Sequence, residues 1–266
     1  MALADTGGAA GMVATLVSLY GRADVPGRIA LDNWPGPRAG HWPTLEPLLT
    51  LLLDTPPFFV MFWNSIGQSV AQVAGNLLVG APAAWAISRL RFRGRSMVRG
   101  LYIVLMLLPF QVTMVPSYLV LRQFGLLDTP WAIILPGIFS TFPVFIMERG
   151  FDTIPREVLE SASIDGANQW QRFWRIGIPL GIPGLISALT LGFLDAWNAI
   201  EQPMTFLESP QYWPLSLFFT DPANLDTKQL GLAMAASLWM LLPSILVFRF
   251  GQTYLEAGLT KGAVKG

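Results

Sequence analysis

The sequence predicts an all-α fold, a polytopic helical bundle in a membrane, on three observations. Of the 266 residues 53% are hydrophobic and only 13% charged, against roughly 25% charged in ordinary soluble domains. The few charges are gathered so that long runs contain none. Basic residues collect in every second loop between those runs.

Each run is long enough for one span. A helix needs about 20 mostly apolar residues to cross the hydrocarbon core, and a charge there is costly. No charge lies between Asp54 and Arg89, Arg99 and Arg122, Asp128 and Glu148, Arg175 and Asp195, or Lys228 and Arg249. Runs of this length exceed ordinary strands, so five spanning helices are predicted. Pro82, Pro109, Pro116, Pro136, Pro143, Pro183 and Pro243 fall inside them. Neighbouring helices and side chains can satisfy the backbone groups that proline frees in a membrane.

The amino terminus is different. Gly7–Tyr20 is apolar but short for a span, and no basic residue precedes it as a signal peptide requires. Two readings stay open, a shortened first span or a truncated start. Gly21–Pro57, rich in Pro, Gly and Trp, reads as an irregular loop. The chain therefore divides into an N-terminal segment (1–57), a transmembrane core (58–256) and a C-terminal tail (257–266).

Orientation follows from short basic loops, which stay in the cytoplasm. Arg89, Arg91, Arg93, Arg95 and Arg99 crowd the first inter-helix loop. Arg149, Arg156, Arg172 and Arg175 fill the loop after the third secure span, and Arg249, Lys261 and Lys265 mark the carboxyl end. Arg122–Asp128 and Glu201–Lys228 are poor in base and face outward, as does Gly21–Pro57. The C-terminus is then cytoplasmic.

Absences narrow the chemistry. The chain has no cysteine and one histidine, His41, so thiolate catalysis, disulfides and a Cys- or His-built metal site are not expected; His41 reads as an exposed loop residue. No cofactor is expected. No basic–aromatic interleaving points to nucleic acid. A membrane-embedded enzyme would need a nucleophile–base pair or a metal cluster, and only isolated serines remain. The chain is read as no enzyme.

The cytoplasmic segment Phe151–Pro179 is more than a connector. Thr153 is a suitable cap for a helix over Ile154–Asp165, with Pro155 and Glu157 in its first turn. Gly166 is a suitable left-handed terminator. Asn168 and Gln171 have capping-box spacing, which predicts a second helix through Trp170, Phe173, Trp174 and Ile176 towards Pro179. Small residues Ser161, Ala162 and Ser163 on the first helix would let a partner approach closely. Glu160 could pair with Arg156 one turn earlier or with a basic group on that partner.

A family resemblance rests on this segment. Glu160-Ser161-Ala162-Ser163-Ile164-Asp165-Gly166, nine further residues, and Ile176-Gly177-Ile178-Pro179 resemble the EAA motif of binding-protein-dependent ABC permeases. Ser161 and Ile178 depart mildly from the motif's alanine and leucine, and the spacing holds throughout. Asp165-Gly166-Ala167 is common in the sugar branch. The resemblance runs from about Phe62 to the end, through Asn64-Ser65, Arg89-Leu90-Arg91-Phe92-Arg93-Gly94, Phe124-Gly125-Leu126-Leu127-Asp128-Thr129 and Trp197-Asn198. The last nine residues look like the ending of maltose-type sugar permeases.

The resemblance implies the transmembrane domain of a type I ABC importer in the bacterial inner membrane. It also implies a second homologous permease, two cytoplasmic ABC ATPase subunits and an extracytoplasmic solute-binding protein. Glu160, Ser161, Ala162, Asp165, Gly166 and Ala167 would then couple the chain to an ATPase subunit. Consistently, no GxxxxGK[ST] phosphate loop is present, so the chain is not expected to be its own ATPase. The substrate class it implies is a sugar or related polyol.

The alternative is a secondary active transporter. It would need intramembrane charges for its coupling ion, and the five runs hold none; Asp195 and Glu201 read as interfacial. A separate pattern lies on the first secure span, where Asn64, Gln68, Gln72 and Asn76 recur every four residues along one face. Facing lipid would be costly for amides. They either bind helices together or line the solute pathway.

Overall fold

A computed structural model describes residues 51, 55–220 and 230–263. Gly7–Tyr20 and His41 lie outside them, as does Asn224. Every element among the described residues is helical. Their order is α1 (Pro56–Arg89), α2 (Arg95–Leu107), α3 (Phe110–Gln123), α4 (Trp131–Ile138), α5 (Thr141–Asp152), α6 (Arg156–Ile164), α7 (Gln169–Arg172), α8 (Ile178–Asn198), α9 (Glu201–Phe206) and α10 (Leu230–Ala263). A π turn, Phe173–Gly177, joins α7 to α8, and short 3₁₀ turns occupy Pro210–Tyr212 and Leu215–Thr220.

Four helical stretches among the described residues are long and apolar enough to cross a membrane: Pro56–Arg89, Trp131–Asp152, Gln169–Asn198 and Ala235–Leu255. The span expected between Arg99 and Arg122 is broken. It is α2 and α3, bent by 103° at Leu108–Pro109. Pro109 has no N–H to continue the ladder and holds Leu108 extended, at ψ 124°. The interior prolines Pro82, Pro116, Pro136, Pro183 and Pro243 are accommodated within helices.

The centre of the fold is α1, packed against α4, α5 and α8, while α8 also packs on α5 and α10. The closest crossing is Gly150 of α5 on Gly184 of α8, where a Cβ on Gly150 would stand 2.7 Å from Gly184 Cα. Both positions therefore need glycine for close approach.

Polar groups on α1 hold irregular backbone in place. Ser65 Oγ accepts from Leu215 N–H at 2.7 Å, Asn64 donates to the carbonyls of Gln211 (2.7 Å) and Trp213 (3.1 Å), and Gln68 donates to Tyr212 O at 2.9 Å. Residues 207–220, read in sequence as part of an outer loop, thus fold back on α1 and bury Leu215, Leu217 and Phe218. Asp128, at φ 55°, ties the α3–α4 loop to the same region. Its carboxylate accepts from Ser209 Oγ (2.5 Å), Ser209 N–H (2.7 Å) and Glu208 N–H (2.9 Å). The Ser209 hydroxyl above all holds this carboxyl below its ordinary range.

Candidate functional site

The segment marked by the motif is α6 and its turn. The helix ends as a Schellman motif: Gly166 N–H donates to Ser163 O at 3.2 Å and Ala167 N–H to Ala162 O at 2.9 Å. Gly166 has φ +82°, and nothing lies within 4 Å of where its Cβ would be. The requirement for glycine is therefore conformational, not steric.

The start of the helix corrects the expectation. Thr153 does not cap it; its hydroxyl donates back to Gly150 O at 2.8 Å. Pro155 occupies the cap position with no side-chain hydrogen bond, and the helix begins at Arg156 instead of Ile154. Proline disfavours helical geometry at the preceding residue, so Ile154 cannot be the first turn. Glu160 and Arg156 form no ion pair, leaving the Glu160 carboxylate without a partner among the described residues.

The second capping box forms as expected. Asn168 Oδ1 accepts from Gln171 N–H at 2.8 Å, and Gln171 Oε1 from Asn168 N–H at 2.9 Å. The helix it starts does not stop near Pro179. Ile178 N–H reaches the carbonyl of Phe173, five residues back, and the chain continues through this π turn into α8. The helix started by this capping box and a membrane-crossing helix are consequently continuous, and α6 joins them through the turn at Gly166.

Its root is tightly packed. Trp85 of α1 meets Phe151 edge-on at a ring separation of 5.3 Å, and Phe173 completes the cluster, with Ile154 and Leu159 buried beside it. Arg89, the last residue of α1, donates to the carbonyls of Phe151 (3.0 Å from Nε) and Ile154 (2.6 Å from Nη2). These carbonyls flank the hinge between α5 and α6. Its outer face is the opposite: Glu160, Ser161, Ser163 and Asp165 are exposed, and Ile164, Trp170 and Trp174 are 86%, 62% and 53% exposed. A cleft of about 1170 Å³ beside α6 is lined by Arg89, Arg91, Arg95, Arg99, Arg156 and Arg172 against Asp152, Glu157 and Glu160.

The amide stripe on α1 divides into two pairs. Asn64 and Gln68 are committed to the Gln211–Trp213 backbone, as described. Asn76 donates to Ile138 O (2.9 Å) and Ser140 O (3.0 Å), the carbonyls at the break between α4 and α5. Its own Oδ1 is buried without a partner. Gln72 and Asn76 both line a second cavity, of about 600 Å³, among α1, α2, α3, α4, α5, α8 and α9.

The sequence profile of the binding-protein-dependent transport system inner membrane component family matches residues 76–261. The chain belongs to that family. It is similar to the inner membrane ABC transporter permease protein YcjP of Escherichia coli (strain K12), 34% identical over 212 residues, 79% of this chain and 76% of the relative. It also resembles the diacetylchitobiose uptake system permease protein DasC of Streptomyces coelicolor, 32% identical over 214 residues, 77% of this chain and 76% of that one. A solved bacterial ABC transporter that imports the acidic polysaccharide alginate has a chain that shares the fold. Its TM-score is 0.69 at 23% identity, covering 94% of this chain and 99% of that one.

As a member of this permease family the chain is a multi-pass inner membrane component of a transport system, and the family is not one of enzymes. Several residues that organise this permease gave only a faint sequence signal. Arg99 pairs with Glu148 and, at 2.9 Å, with Asp152, and Ser88 Oγ donates to Asp152 Oδ1 at 2.7 Å. Arg95 caps α1 through the carbonyls of Ile87 (2.6 Å) and Ser88 (2.5 Å). The available hint was that Glu148 and Asp152 are acids at the edge of loops otherwise rich in arginine.

Proposed function

We propose that this chain is the permease subunit of an ATP-driven importer that carries a sugar or related polyol into the bacterial cell. It works with a second homologous permease, two cytoplasmic ABC ATPase subunits and an extracytoplasmic solute-binding protein. Glu160, Ser161, Ala162, Asp165, Gly166 and Ala167 form the surface that meets one ATPase subunit, with the basic loops and C-terminus in the cytoplasm. The observation that carries this reading is α6 itself: a short helix, exposed on its outer face, whose root packs among Trp85 of α1, Phe151 of α5 and Phe173 of the π turn. A rigid-body movement of a partner would pass into the membrane helices through it. The likeness to a diacetylchitobiose permease supports the sugar class.

Uptake tests it. Vesicles holding the four kinds of subunit should accumulate a neutral disaccharide only with ATP inside the cytoplasmic compartment. Accumulation driven by a proton gradient without the ATPase would favour a secondary transporter instead. Orientation is tested separately on the cysteine-free chain. Single cysteines replacing Arg93 or Ser163 should resist an impermeant maleimide in intact cells, and one replacing Asn224 should react. Outside labelling at Ser163 would contradict the proposed orientation.

A further inference from the structure

The cavity of about 600 Å³ is of a size that holds small solutes. Its polar lining includes Gln72, Asn76, Thr113, Ser117, Asp195 and Gln202. Among the described residues lining it, Asp195 is the only charged one. Asp195, read in sequence as interfacial, lines the same cavity as Gln72 and Asn76 of α1. Its carboxylate has no hydrogen bond or ion pair among the described residues, and neither do the amides of Gln72 and Gln202. Phe110, Phe139 and Phe142 supply aromatic surface.

Unpaired polar groups facing a cavity keep hydrogen-bonding capacity for a ligand. The one fixed charge is an acceptor, the Asp195 carboxylate with its two oxygens, and the amides of Gln72 and Gln202 can give as well as receive. A ligand that matches must therefore donate several hydrogen bonds and offer an apolar face to the rings. A neutral sugar does both, since adjacent hydroxyls can bond the two oxygens of one carboxylate. A negatively charged sugar would bring like charge against Asp195. Resting on the sugar reading above, we infer that this cavity is a solute site in which Asp195 selects neutral, hydroxyl-rich sugars and excludes anionic ones.

The test uses the complete importer in nanodiscs with Ser117→Cys as reporter, its alkylation read on this chain by mass. Trehalose, lactose and diacetylchitobiose are the neutral probes, and digalacturonate is an anionic probe of similar size. At least one neutral disaccharide should slow alkylation, and digalacturonate should not. Adding Asp195→Asn should weaken neutral protection by about tenfold and let digalacturonate protect. Asp195→Glu, which keeps the charge, should still exclude it. Protection by digalacturonate with Asp195 intact, or neutral protection unchanged by Asp195→Asn, would overturn the inference. Vesicle uptake separates the two levels. Sugar imported without protection of the reporter removes the site and leaves the sugar reading standing; neither import nor protection removes both.

Discussion

Gly166→Val is expected to leave the permease in the membrane and to abolish binding-protein-stimulated uptake. The backbone at Gly166 sits at φ +82° with open space around it. Left-handed geometry costs a residue with a side chain about 1–2 kcal/mol, and more when it is β-branched. Valine would relieve that strain by unwinding the Schellman turn that ends α6, which lies outside the transmembrane packing. Ala162→Trp attacks the same contact differently, placing bulk on the helix face where Ser161 and Ser163 keep the surface low. Coupling free energies between linked sites are typically about 1–3 kcal/mol, and losing the contact outright removes all of that linkage. ATP hydrolysis should lose its stimulation in step. Uptake at the unsubstituted rate in both variants would remove α6 from the coupling path.

Arg99→Leu is expected to have the largest effect on the protein itself. Glu148 is 3% exposed on α5, and Arg99 of α2 is its ion-pair partner. Removing one member of a buried pair strands the other charge and costs about 3 kcal/mol or more. Arg99 is one-third exposed, which places the cost at the lower end. The variant should reach the membrane in small amounts and melt early in detergent. A double replacement, Arg99→Leu with Glu148→Leu, should recover most of that loss, because an apolar pair needs no charge partner. Equal damage in the double variant would mean that each residue acts separately.

These two cases also mark what the sequence makes legible. Gly166, the Asn168–Gln171 capping box and four of the five spans are fixed by neighbours a few residues away, so spacing alone exposes them. Thr153 misled because Pro155, two residues on, controls where the helix can begin. The bend at Leu108–Pro109 could not be read because proline interrupts some membrane helices and is absorbed in others; Pro116, in the helix just after the break, is absorbed. Arg99–Glu148, Arg89 on the Phe151 and Ile154 carbonyls, and the cavity around Asp195 join residues dozens of positions apart. Such pairings depend on how α1, α2, α5 and α8 cross, which periodicity does not specify. The amide stripe shows both limits: spacing put four amides on one face, and only packing separated Asn64 and Gln68 from Gln72 and Asn76.

The most direct test of the coupling role is site-specific photo-crosslinking from Ser161 in the complete importer. Ser161 is exposed on α6 and its hydroxyl bonds only within its own helix, to Glu157 O at 2.8 Å and Val158 O at 3.2 Å, so a photoreactive side chain there leaves the fold intact. A crosslink to an ATPase subunit is expected, with a yield that changes between the nucleotide-free and ATP-bound states. A crosslink only to lipid or to the second permease, unchanged by ATP, would contradict the coupling role.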